Sequence, residues 1–125
     1  MEKKPLILLL EADPLQRDLI SLALHNIQCE VLATLDGGEA RRWLRQRKPD
    51  VLIVDTFLPW TNGLDLLRDL QSEKLLGETR VVVVSAMRFE EIVRQVALLG
   101  VSGYLVKPVD VQVLVERIKK LTANP

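Results

Sequence analysis

The chain has 125 residues, of which 48% are apolar and 27% charged, and its 17 Lys plus Arg balance 17 Asp plus Glu. This is the size and balance of one globular domain spanning 1–125, and it excludes a multidomain enzyme and a disordered chain. A net charge of zero draws the chain neither to nucleic acid nor to an anionic membrane, so neither is an expected partner.

The first apolar run, Leu6–Leu10, is too short for a membrane span, which needs about 20 residues. Met1-Glu-Lys-Lys-Pro5 leads into no signal-peptide pattern, so the expected location is the cytoplasm. The run predicts a strand. A helix follows, opened by Asp13-Pro14 as N-cap and first-turn proline, with Leu15, Leu19, Leu22 and Ala23 on one stripe. His25 falls near its end, where a protonated imidazole suits the helix dipole. Cys29, the only cysteine, excludes an internal disulfide, and a single His leaves no zinc ligand set. Cys29 reads as a small buried hydrophobe. The run over 30–34 is more polar and suits an edge strand.

Ala40, Trp43 and Leu44 mark a second helix with Trp43 in the core. Arg41, Arg42, Arg45, Arg47 and Lys48 give that helix a solvated basic face or, less in keeping with charge runs generally, an anion-binding surface. The runs over 51–54, 81–84 and 104–106 complete five strands, and their lack of polar alternation predicts burial on both faces. Between them lie helices marked by Leu64/Leu67/Leu70 and Ile92/Val96/Leu99, followed by one marked by Val111/Leu114/Val115/Ile118/Leu121. Gly77, Gly100 and Asp110 punctuate them.

Strand and helix alternate five times, and right-handed crossovers turn that alternation into an α/β, doubly wound, five-stranded parallel sheet with expected strand order 2-1-3-4-5. Sites in such sheets form beyond the carboxyl ends of the strands, where the winding direction reverses. Glu11 and Asp13 follow the first strand, Asp55 the third, Ser85 the fourth and Lys107 the fifth. Carboxylates, a hydroxyl and an ammonium on one rim suit a phosphoryl group held with a divalent cation. Asp55 is the candidate nucleophile, because a carboxylate attacking phosphorus needs positioning and charge neutralisation more than it needs a general base.

Val51-Leu-Ile-Val-Asp55-Thr-Phe-Leu-Pro59-Trp-Thr-Asn-Gly63, Val82-Val-Val-Ser85-Ala86 and Tyr104-Leu-Val-Lys107-Pro108 together resemble the receiver domain of bacterial two-component response regulators, a flavodoxin-like fold. The resemblance covers essentially the whole chain. It implies a phosphorelay signalling module in which Asp55 accepts phosphate from a sensor histidine kinase or phosphotransfer protein. It further implies that Ser85 contacts the phosphoryl group, Lys107 pairs with it, Tyr104 is the switch aromatic, and Mg2+ is held by Glu11, Asp13, Asp55 and the Phe57 carbonyl. The Lys107-Pro108 bond is cis in the family. A face made of the fourth helix, fifth strand and fifth helix, carrying Phe89, Val93, Val111, Val113 and Val115, is the expected docking surface for a downstream target or for a weak homodimer. Taken without the resemblance, Ser85 could simply satisfy a strand-end backbone group and Tyr104 could be a plain core aromatic. Trp60 reads equally as a partner contact and as a loop residue packed on its own turn.

One position departs from the family pattern. The direct metal ligand at the end of the first strand falls on Ala12, and a methyl group coordinates nothing. Weakened Mg2+ binding is therefore expected, and the alternative function is a degenerate receiver acting as a phosphorylation-independent scaffold. An enzyme is not expected. An aspartyl-phosphate hydrolase resembling the haloacid dehalogenase family would carry a second acid two residues after its nucleophile, where this chain has Phe57, and its length leaves no room for a cap domain. With no output domain attached, the module either works by itself or was cut from a longer chain at Asn124-Pro125.

Overall fold

The computed structural model describes residues 3–123, so both ends of the expected domain, Asn124-Pro125 included, lie outside the described residues. Along the chain run β1 (Leu6–Leu10), α1 (Pro14–Asn26), β2 (Glu30–Ala33), α2 (Gly37–Gln46), β3 (Val51–Asp55), α3 (Gly63–Ser72), β4 (Arg80–Ser85), α4 (Glu90–Leu98), β5 (Gly103–Val106) and α5 (Val111–Thr122). All strand pairs are parallel and the order is β2-β1-β3-β4-β5, as the alternation of elements requires.

Period-two alternation along the strands sends successive side chains to opposite faces. Leu8, Leu10, Leu52, Val54, Val81 and Val83 meet Ala40, Leu44, Leu64, Leu67, Leu70 and Val96 from α2, α3 and α4. Ile7, Leu9, Val51, Ile53, Val82 and Val84 meet Ile20 and Leu24 of α1 and Leu114 and Ile118 of α5. β1 and β3 are buried throughout, which explains their uninterrupted apolar sequence. β5 is a correction: it is an edge strand, only half-buried, with Val106 exposed at its end.

The α1 stripe is a second correction. Leu15, Leu19 and Leu22 are exposed, and the sheet is met instead by Ile20 and Leu24. The helix carries apolar residues on two sides, and burial selects the one with the β-branched Ile20. Asp13 caps α1 by accepting from the Leu15 amide at 3.0 Å with Pro14 next to it, and Asp110 caps α5 through the Gln112 and Val113 amides. Gly100 (φ 75) turns left-handed directly after α4. α3 ends earlier than Gly77 suggests: Lys74 (φ 57) takes the left-handed turn after it, and Gly77 (φ 53) bends the loop into β4.

Trp43 packs partly buried on the α2–α4 core. The basic run is largely paired: Arg41 forks onto Glu73 with both bonds at 2.9 Å, Arg42 meets Glu39 and Arg47 meets Glu30. It is a solvated, ion-paired face. His25 is exposed in the last turn of α1, and Cys29 is buried and unpaired.

Candidate functional site

Each residue singled out at a strand end lands on the carboxyl edge of the sheet. Asp55 closes β3, buried, with Oδ1 accepting from the Phe57 amide at 3.0 Å and Oδ2 accepting from Lys107 Nζ at 2.8 Å. Lys107 reaches it from the residue after β5 and also donates to Glu11 Oε2 at 2.9 Å. Glu11, following β1, is fully buried; its Oε2 also accepts from the Asp13 amide at 3.0 Å, while Oε1 has no hydrogen-bond partner. One ammonium thus sits between two buried carboxyl groups.

Loop geometry holds Asp55 in place. The Gly63 amide donates to the Thr56 carbonyl at 2.8 Å, and a Cβ at Gly63 would lie 2.1 Å from the Asp55 carbonyl oxygen. Only glycine allows that approach. Asn62 caps α3 from the same loop. Trp60 reaches beyond its own turn. Its indole donates to the Leu35 carbonyl and its ring covers Gly37, tying the loop after β3 to the loop after β2.

The electrostatics follow from burial against pairing. Burial, and the neighbouring Asp55 carboxylate, raise the Glu11 carboxyl above its ordinary value. Burial pushes Asp55 the same way, but the neighbouring Glu11 carboxyl and the hydrogen bonds from Lys107 and the Phe57 amide overcome it and hold Asp55 below its ordinary value. Burial lowers Lys107, and its bonds to Asp55 and Glu11 more than reverse that, so its ammonium is held charged. The two carboxyls are thus displaced in opposite directions, Glu11 toward its protonated form and Asp55 toward its ionised one.

The other expected site residues divide. Asp13 is exposed, with Oδ1 occupied by the α1 cap, and Ala12 presents a methyl group. Among the described residues no three or more acidic, His or Cys side chains are grouped to hold a metal. Phe57 projects its ring to solvent. Ser85 is fully buried; its Oγ accepts from the Met87 amide at 3.0 Å and lies 2.7 Å from Thr56 Oγ1. The Tyr104 hydroxyl donates to the Met87 carbonyl at 2.6 Å, and the Lys107-Pro108 bond is cis. Thr56 and Met87 were not singled out in the sequence, where the one available signal was a hydroxyl residue immediately after Asp55.

Residues 7–119 match the response regulator receiver domain. The chain belongs to that family. It is 36% identical over 86 residues to the chemotaxis protein CheY of Pseudomonas aeruginosa, covering 69% of each, and 29% identical over 113 residues to the phosphate regulon transcriptional regulatory protein PhoB of the same organism. In the second case the match covers 90% of this chain and 49% of the relative, and with the transcriptional regulatory protein CrdR of Helicobacter pylori it covers 96% and 55%. The chain therefore spans about half the length of these two regulators. Among solved structures, a response regulator receiver protein from Pseudomonas putida is 28% identical with a TM-score of 0.85, covering 96% of this chain and 99% of that one. A receiver domain is a two-component signalling module rather than a classical enzyme. Among the described residues no helix is long and apolar enough to cross a membrane.

Proposed function

We propose that this receiver domain accepts a phosphoryl group on Asp55 from a histidine kinase or phosphotransfer protein and that the modification switches a protein-binding face. The observation that carries the reading is the buried Asp55 carboxylate with Lys107 Nζ at 2.8 Å. In the transfer an Asp55 oxygen bonds to phosphorus as the bond from phosphorus to the donor nitrogen breaks, and the departing imidazole keeps the electron pair. The catalytic work is positioning and charge matching. The Phe57 amide orients the carboxylate, Lys107 balances charge on the incoming phosphoryl oxygens, and Ser85 supplies a hydroxyl to them. Tyr104 reports the change through the Met87 carbonyl, on the same residue whose amide donates to Ser85 Oγ.

The donor set also fits Mg2+. It consists of hard oxygens only, and the buried Glu11 Oε1 lacks a partner beside the Asp55 carboxyl. Mg2+ is commonly held by one or two carboxylates completed by phosphate and water, so Glu11, Asp55 and the Phe57 carbonyl would hold it, with Ala12 contributing nothing and Asp13 committed to its cap. The ion would supply charge neutralisation for the phosphoryl group.

For the output we assign the α4, β5 and α5 face, where Phe89, Val93, Val106 and Val113 are exposed and suit a target protein or a second receiver. Val111 is only half-buried, and Val115 is buried and drops out of that surface; residues two apart on a helix cannot share one side. Treatment with acetyl phosphate and magnesium, read by intact mass, should add one phosphoryl group, and Asp55→Asn should prevent it. A protein that takes no label under these conditions would be a phosphate-independent binding module.

A further inference from the structure

Thr56 follows Asp55 directly, is buried, and lies with its Oγ1 2.7 Å from Ser85 Oγ. Its backbone is pinned on both sides, the amide donating to the Val84 carbonyl at 3.1 Å and the carbonyl accepting from Gly63. Among the described residues, Ser85 is the partner of its hydroxyl. A serine hydroxyl has one proton and two lone pairs. The Met87 amide occupies one lone pair of Ser85, and Thr56 takes either the proton or the second lone pair. Neither bond goes to Asp55, whose oxygens accept from Phe57 and Lys107.

We propose that Thr56 is a positioning residue that anchors the Ser85 hydroxyl in its resting place, in competition with a phosphoryl group on Asp55. This rests on the reading of Asp55 as acceptor and Ser85 as phosphoryl contact. Drawing Ser85 onto the phosphoryl oxygens leaves the Thr56 hydroxyl buried without a partner, and a stranded buried polar group opposes the move. The same move releases the Met87 amide, whose residue anchors Tyr104 through its carbonyl. Thr56 therefore biases the whole chain from acceptor loop to switch aromatic toward its resting arrangement.

The test compares Thr56→Val, which keeps the shape and removes the hydroxyl, with Thr56→Ser, which keeps the hydroxyl. Thr56→Ala replaces the valine variant if that one does not fold. Without phosphate, side-chain three-bond couplings should report one Ser85 χ1 rotamer in the unmodified protein and in Thr56→Ser, and rotamer averaging in Thr56→Val. An unchanged single rotamer in Thr56→Val overturns the anchor, whatever happens at Asp55. With acetyl phosphate and magnesium, the steady-state ratio of labelled to unlabelled protein should rise roughly three- to tenfold in Thr56→Val, the span of one net hydrogen bond, and return to normal in Thr56→Ser. A lowered ratio despite a released Ser85 overturns the competition. A released Ser85 with no label on any variant supports the anchor and removes the Asp55 reading instead.

Discussion

Lys107 is the residue on which the site's charge depends, because it is the cation bonded to both buried carboxyl groups. Removing one partner of a buried ion pair leaves an uncompensated charge and costs about 3–5 kcal/mol. Lys107→Met should therefore lower stability near pH 7 by about 2–4 kcal/mol, the lower range reflecting relief as a carboxyl takes up a proton. For the same reason the loss should shrink as the pH is lowered, and denaturant midpoints from pH 7 to pH 4 measure it. An equal loss at every pH would mean that Lys107 acts by packing alone. Ala12 is the complementary case, a place where charge is missing. Ala12→Asp adds a hard oxygen ligand beside Glu11 and should tighten Mg2+ binding by about tenfold, or roughly 1.4 kcal/mol. A magnesium titration of both forms decides it, and equal affinities would show that the existing carboxylates already complete the site.

At the scale of elements, α1 separates buried from exposed apolar residues two positions apart. Leu24 is fully buried while Leu22 is 61% exposed. Leu24→Ala should cost about 2–5 kcal/mol, whereas Leu22→Ser should change stability by no more than about 0.5 kcal/mol. Chemical denaturation of both variants checks the assignment, and similar losses would mean that the leucine stripe also meets a partner or a second copy in solution. This helix shows where the sequence stopped being legible. β1, β3 and β4 announced themselves because burial on both faces leaves no polar position, and the strand ends then placed Glu11, Asp55, Ser85 and Lys107 on one rim. α1 has apolar residues on two sides, so periodicity alone favoured the richer leucine stripe, and the sheet took the other. Thr56 was hidden for a different reason: its hydroxyl matters through Ser85, 29 positions away, and no local pattern encodes that pairing.

For the whole molecule, two carboxyl groups displaced in opposite directions tie folding to pH. Asp55 is held below its ordinary value of 3.8, so the stability it contributes is complete above that pH and is lost as the pH falls through the lower folded value. Glu11 is raised above its ordinary value of 4.5. There the folded protein binds more protons than the unfolded chain, so stability falls as the pH rises from 4.5 through the raised folded value. Without divalent cations the pair should thus be most stabilising near pH 4 and weaken toward neutrality. Glu11→Gln removes the rising-pH loss, because an amide in that place has no proton to surrender and still offers an oxygen to Lys107 and the Asp13 amide. Relative to the unmodified protein, Glu11→Gln should gain stability as the pH is raised from 4.5 to 7, and magnesium, which favours an ionised Glu11, should narrow that gap for the unmodified protein alone. Urea midpoints across that range, with and without magnesium, provide the measurement. Parallel curves for the two proteins would mean that folding does not raise the Glu11 carboxyl.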